Sequence, residues 1–257
     1  AVLLSACSSP KHEPMPLVNF TPSMEVTEVW SKGLSSAEGF LVPAVYDDMV
    51  FAAGGKTLTR LNARTGETEW SVSFNSPITG GVGSDGYVTA VGLWDGNLEV
   101  VDAEGKVSWE KKLTTELASP PVVSHGLVIA RTMDTRVSAF EASSGELQWT
   151  YQRSQPALTV RLPTRMLAHD NFLLVGQPNG HIVILDIASG KPMFEFQVAQ
   201  AKGVTEVERL VDVVGAPAFS DNLVCAAAFQ GAVTCVDSTN GQRSEEHTSE
   251  LQSQRDI

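Results

Sequence analysis

Positive charge is scarce in this sequence: 18 Lys and Arg stand against 30 Asp and Glu in 257 residues, a formal net charge of −12. Nucleic acids and anionic lipid surfaces are bound through basic residues that neutralise phosphates, so this balance argues against both as partners. No run approaches the roughly 18–20 uninterrupted apolar residues of a membrane-spanning helix. A sustained 3.6-residue period is also missing, which excludes helical solenoids. Neither a Gly-x-Ser-x-Gly elbow nor a His-Glu-x-x-His pair occurs, so two common hydrolase signatures are absent. Cysteines number only three, with no two adjacent. What the chain does have is 42% apolar residues, with 21 Gly and 13 Pro spread along it. That is enough to bury a core, in a body with frequent turns.

Two phosphate-loop fragments dissolve on inspection. Gly81-Val82-Gly83-Ser84-Asp85-Gly86 fits a Gly-x-Gly-x-x-Gly pattern, but a dinucleotide site needs a helix to open there. Tyr87-Val88-Thr89-Ala90-Val91 instead reads as a strand after a turn. Gly55-Lys56-Thr57 is half a P-loop, with Val50 where the first glycine belongs. His12, His125, His169 and His181 are scattered; His125 and His169 are placed in equivalent turns, solvated. No residue is assigned as catalytic, cofactor-binding or metal-ligating.

The two ends differ from the middle. Ala1-Val2-Leu3-Leu4-Ser5-Ala6 is apolar and closes in small residues, as the end of a signal peptide does, without the basic stretch that would precede it. Leu4-Ser5-Ala6-Cys7 resembles the lipobox of bacterial lipoproteins. That resemblance implies acylation, including palmitate, at Cys7, and Ser8 after it implies the outer membrane. Pro10, Pro14, Pro16 and Pro22 make residues 7–24 a lipid anchor and semi-rigid tether. At the far end Arg243-Ser244-Glu245-Glu246-His247-Thr248-Ser249-Glu250-Leu251-Gln252-Ser253 breaks the preceding pattern. It resembles an in-frame translation of a sequencing-library adapter, and residues 243–257 are expected to be a non-native tail.

Between them, residues 25–242 repeat. Leu61-Asn62-Ala63-Arg64-Thr65-Gly66-Glu67-Thr68-Glu69-Trp70 returns as Val101-Asp102-Ala103-Glu104-Gly105-Lys106-Val107-Ser108-Trp109. It returns again as Phe140-Glu141-Ala142-Ser143-Ser144-Gly145-Glu146-Leu147-Gln148-Trp149, and then as Leu185 to Phe194. A further copy starts at Val236-Asp237. The repeat glycines lie 39, 40, 45 and 51 residues apart. Each unit splits into four short strands at turn residues such as Ser84-Asp85-Gly86, Asn179-Gly180 and Asp221-Asn222. In the third unit the strands are expected at residues 122–123, 127–132, 136–141 and 146–151. Four strands per ~40 residues with a regular aromatic is the signature of a β-propeller blade. The fold is therefore all-β: four-stranded antiparallel blades, about five of them, in an open arc. Asp102, Asp186 and Asp237 share one repeat position, where a carboxylate bonding turn amides explains them without catalysis. Cys225 and Cys235 flank a hairpin turning at Gln230-Gly231. A cross-strand disulfide depends on the loop register, and both outcomes stay open.

Insertions in a repeat array fall on loops of one face, often the binding face. The segment from the blade-closing aromatic to the next blade's proline runs 13 residues after Trp30, 7 after Trp70, 14 after Trp149 and 23 after Phe194. The longest flags residues 198–214, with Lys202, Glu206, Glu208, Arg209 and Asp212 as a mixed-charge rim.

The Ala/Asp-x-x-x-Gly-x-x-x-Trp pattern resembles the quinoprotein-type propeller repeat. With the lipobox, Leu158-Thr159-Val160-Arg161 and Thr205-Glu206-Val207-Glu208-Arg209-Leu210-Val211-Asp212-Val213, residues 4–242 resemble the BamB family of outer-membrane β-barrel assembly lipoproteins. Members close a ring of about eight blades, so the resemblance is to a truncated member. It implies a non-enzymatic periplasmic scaffold of the Bam complex that docks on a POTRA domain of BamA and helps outer-membrane proteins fold and insert. Unfolded outer-membrane proteins are a second expected partner. The implied docking residues are Leu158, Val160, Arg161 and Asp212; Glu206 and Arg209 join them from the long loop. A second acidic position of the family is Val214 here. Without the resemblance, the alternation of Leu158, Val160 and Leu162 reads as a half-buried strand. The competing class is a periplasmic quinoprotein-like dehydrogenase dependent on pyrroloquinoline quinone. Such enzymes carry adjacent cysteines and acidic Ca²⁺ ligands, whereas this chain has no Cys-Cys pair.

Overall fold

The computed structural model describes residues 24–36, 41–154, 156, 158–240 and 242–248. Cys7 and the proline-rich tether up to residue 23 lie outside the described residues.

Among the described residues, twenty strands form five separate four-stranded sheets, each an antiparallel meander in chain order. The first blade holds β1 (Ala44–Tyr46), β2 (Met49–Gly54), β3 (Thr57–Asn62) and β4 (Thr68–Ser73). The second holds β5 (Ile78–Ser84), β6 (Thr89–Leu93), β7 (Asn97–Val101) and β8 (Val107–Lys112). In the third are β9 (Val122–Ser124), β10 (Leu127–Arg131), β11 (Val137–Glu141) and β12 (Leu147–Tyr151). The fourth comprises β13 (Leu167–His169), β14 (Phe172–Gln177), β15 (His181–Asp186) and β16 (Pro192–Gln197). The fifth comprises β17 (Val213–Ser220), β18 (Leu223–Ala228), β19 (Ala232–Asp237) and β20 (Arg243–Thr248). Inner strands follow one another, β1 beside β5, β5 beside β9, β9 beside β13 and β13 beside β17. This is a partial propeller in an open arc.

Blade-on-blade packing explains the sequence pattern. The second and third strands of a blade are covered on both faces, so β10 and β6 are buried at every position and read as apolar runs with one polar end rather than as alternating strands. Four cores result, one at each joint. Phe51, Leu58, Ile78 and Val91 fill the first, and Leu98, Leu117, Val128 and Phe140 the second. Ile129, Trp149, Leu173 and Val183 fill the third, and Leu174, Ile182, Phe196 and Val224 the fourth. Outer strands such as β8 face water and are polar.

The recurring tryptophan is a clasp between blades. Trp30, Trp70, Trp109 and Trp149 each donate the indole N–H to a carbonyl of the following blade, those of Ala63, Ala103, Ala142 and Ile187, at 2.8–2.9 Å. The ring lies flat against the glycine of that blade's last turn. Gly145 has φ +70, and a Cβ there would sit 2.7 Å from the Trp109 ring. The repeat Trp and the repeat Gly are thus two halves of one contact. At the fourth joint Phe194 stands in the Trp position; it is half exposed and has no N–H to donate.

The turn carboxylates behave as expected. Asp102 Oδ1 accepts from the amides of Glu104 (3.1 Å) and Lys106 (2.8 Å), and Asp186 Oδ1 from Ser189 N–H (2.8 Å). Gly81 to Gly83 lie in strand β5 and Asp85-Gly86 in the turn after it, as the strand reading requires. Cys225 and Cys235 are direct cross-strand partners and are joined in a disulfide.

Two expectations need adjustment. His125 is a turn residue at φ +54, but His169 ends strand β13 and Asp170, at φ +46, takes the turn position. The His169 ring stacks 3.9 Å from Phe219 of the next blade, so it is a packing residue. The reason is a one-residue offset between the blades. Residues 243–248, expected outside the propeller, pair by their backbone with β19 as the outer strand of the fifth blade. An outer strand needs only main-chain bonds on one side, which any non-proline sequence supplies.

Candidate docking face

In a four-stranded meander the turns between second and third strands share a face with the connectors that enter the next blade. That face carries every docking residue named from the sequence. In the connector into the fourth blade, residues 152–164, the described residues form no strand, and among them Thr164 makes an isolated bridge, parallel to Gly215. Leu158 and Leu162 are 43% and 42% exposed, so the half-buried-strand reading of their alternation does not hold. Val160 is half-buried. The Arg161 side chain is 79% exposed, with its Nη1 only 4.0 Å from Glu116 Oε1. A loose pair of that exposure contributes little, and leaves the guanidinium available.

Asp212 meets this connector across 52 residues of sequence. It is buried, 6% exposed, and its Oδ2 accepts the Val160 N–H at 2.7 Å. Oδ1 accepts the Asn179 N–H at 3.4 Å. The Asp212 carbonyl accepts from Phe229 N–H (2.8 Å), which fixes the residue to the fifth blade. Two backbone bonds extend the seam: Gly215 N–H to Pro163 O at 2.8 Å and Arg165 N–H to Gly215 O at 2.9 Å.

The long loop is built rather than loose. Val198 is fully buried, its N–H bonding Gly180 O (2.7 Å) and its carbonyl accepting from Thr234 Oγ1 (2.7 Å). Residues 205–208 form a capping box: Glu208 N–H donates to Thr205 Oγ1 (3.3 Å), and Glu208 Oε2 accepts from the Val204 and Thr205 amides (2.9 and 3.1 Å). The turn at residues 206–209 presents Glu206 and Arg209 to solvent, beside exposed Val204 and Val207.

An open cavity of about 270 Å³ lies between the connector into the fourth blade, the connector ahead of the third blade, the end of β10 and the start of the fifth blade. Its walls include Leu117, Ser119, Arg131, Val160, Arg161 and Asp212. Val214, at the position where the resemblance implies a second acid and this chain has none, is also in the wall. The structure thus brings Val160, Arg161 and Asp212 together at one site. Glu206 and Arg209 belong to the same loop as Asp212 but stand outside the cavity walls. Arg131, which sequence reading did not single out, ends β10 and is buried. Burial pulls its guanidinium down to about 10, and the charge of Asp212 opposes that. No feature of the sequence marks it, since an arginine ending an apolar strand reads the same whether buried or exposed.

No cluster of metal-ligating side chains occurs among the described residues. Tryptophan-clasped, four-stranded blades with one built face define a quinoprotein-type propeller whose distinctive feature is a surface. The family model described as "Outer membrane protein assembly factor BamB" matches residues 54–256, and the chain belongs to that family. It is 38% identical over 247 residues to the BamB of Burkholderia pseudomallei, covering 94% of this chain and 65% of the relative. It is 34% identical to that of Bordetella pertussis, covering 93% and 64%. The chain therefore spans just under two thirds of the length of these relatives. The crystal structure of BamB from Moraxella catarrhalis superposes with a TM-score of 0.73 at 28% identity, over 80% of this chain and 63% of that one. A quinohemoprotein alcohol dehydrogenase from Pseudomonas putida superposes at 0.59 with 16% identity, covering 82% of this chain and 42% of that one, a likeness of fold alone.

Proposed function

We propose that the chain acts as a non-enzymatic scaffold lipoprotein of the outer-membrane β-barrel assembly complex. It is held at the periplasmic face of the outer membrane by acylated Cys7 and docks on a POTRA domain of BamA. There it assists the folding and insertion of outer-membrane proteins, with unfolded outer-membrane proteins as a second class of partner. Family membership supports the general role. The single observation that carries the docking surface is the presentation of residues 158–162. Leu158, Arg161 and Leu162 face solvent while Asp212 holds Val160 from behind. Two exposed leucines beside an arginine make an interface anchor: apolar area to bury, and a planar five-donor fork for a partner carboxylate. Glu206 and Arg209 supply a polar rim.

The test uses the full-length protein. Arg161→Ala is expected to lower BamA co-purification several-fold and leave the melting temperature within about 1 °C, as surface substitutions do. Unchanged co-purification would exclude Arg161 from the interface.

A further inference from the structure

We infer that Asp212 serves this face as an internal strut rather than as a contact, and that Arg131 is the positioning residue that balances it. The inference rests on the docking reading above. A carboxylate that meets a partner must present its oxygens outward. Those of Asp212 are engaged inward, one on the Val160 amide and the other on the Asn179 amide, in a residue only 6% exposed. What Asp212 can deliver to a partner is the position of Val160 and, one residue on, the exposed Arg161.

Arg131 works at the other end of the same stretch. Its Nη1 donates to Thr164 Oγ1 at 3.4 Å, and Thr164 is buried. Residues 160 and 164 are therefore gripped by a buried acid from the fifth blade and a buried base from the third. Arg161, Leu162 and Pro163 stand exposed between the two grips. Neither charge is cheap to bury alone, since an isolated buried ion neutralises or draws in a partner. Asp212 is the charge whose field favours the charged form of Arg131. The two make no direct hydrogen bond among the described residues, so they act through space across the cavity wall they share. Removing one leaves the other uncompensated, and the two substitutions should not add.

The experiment compares Asp212→Asn, Arg131→Gln, the double variant and Arg131→Lys in the full-length protein. Amide hydrogen exchange over residues 158–164 is read beside affinity for the periplasmic region of BamA. Asp212→Asn should speed exchange at Val160 by about tenfold, the scale of one hydrogen bond to a charged group, and weaken binding by a similar factor. Arg131→Gln should do the same, and the double variant should lie within about twofold of the stronger single one. Arg131→Lys keeps the charge without the fork; it should keep Val160 protected and loosen only Thr164. It also carries the test if Arg131→Gln does not fold. Weaker binding by Asp212→Asn with Val160 exchange unchanged would overturn the strut, since Asp212 would then touch the partner itself. Additive losses in the double variant would overturn the role of Arg131. If Arg161→Ala binds like the wild type, the docking reading fails, and the exchange data decide the strut by themselves.

Discussion

Glu99 shows how much one side chain's surroundings decide. It lies in β7, 8% exposed, with Val91 of β6 and Glu110 of β8 as its cross-strand partners. Burial pushes its carboxyl up to about 7, helped by the charge and hydrogen bond of Glu110 and then by Asp95. Its folded value lies above its ordinary 4.5. Below the lower value both folded and unfolded forms are protonated. As pH rises from 4.5 towards 7 the unfolded form ionises first, so this stabilisation is lost over that window and is gone above it. Glu99→Gln should therefore raise the melting temperature at pH 8 by roughly 2–4 °C, about 1 kcal/mol in a domain of this size, and change it little at pH 4.5. A thermal melt at the two pH values checks this; an equal shift at both would contradict it.

At the scale of elements, the blade joint is where sequence and structure correspond most directly. Trp109→Leu loses the indole bond to Ala142 and the ring's area, and Gly145→Ala drives a Cβ into the same ring. Each should cost roughly 2–4 kcal/mol, and the pair together should cost less than the sum because they break one contact. Chemical denaturation of the full-length protein reads both. The joints were legible because their two halves, Trp and Gly, sit at fixed places in every repeat. The turns were legible because Asp, Asn and Gly are required by their backbone angles. The long loop was legible from length alone. Arg131 was not: a buried arginine ending an apolar strand looks the same in sequence as an exposed one. Nor could the alternation of Leu158, Val160 and Leu162 separate strand from connector, since period two is common to both. The strut of Asp212 was hidden because its partner is a backbone amide 52 positions away.

At the scale of the whole molecule, the proposed function requires the propeller to reach its partner from a membrane. If Cys7 is acylated, residues 7–24 span the distance between lipid and first blade, with prolines limiting their collapse. In the full-length protein expressed with its complete leader, Cys7→Ser should abolish metabolic labelling by a fatty acid. It should also shift the protein from the membrane to the soluble periplasmic fraction. Labelling that survives the substitution would place the anchor elsewhere. One acyl chain holds only weakly, so multiple acylation is the expected chemistry at that residue.

The clasps also give the propeller a direction. The indoles of Trp70, Trp109 and Trp149 wait at the trailing edge of their own blades for a carbonyl 33 residues further on, or 38 at the third joint. A finished blade thus offers a template to the next one and asks nothing of the blades behind it. For a chain that emerges N-terminus first, assembly is vectorial: each of the first three joints can ratchet shut as soon as its next forty or so residues arrive. Only the closing of a ring is then a truly long-range event.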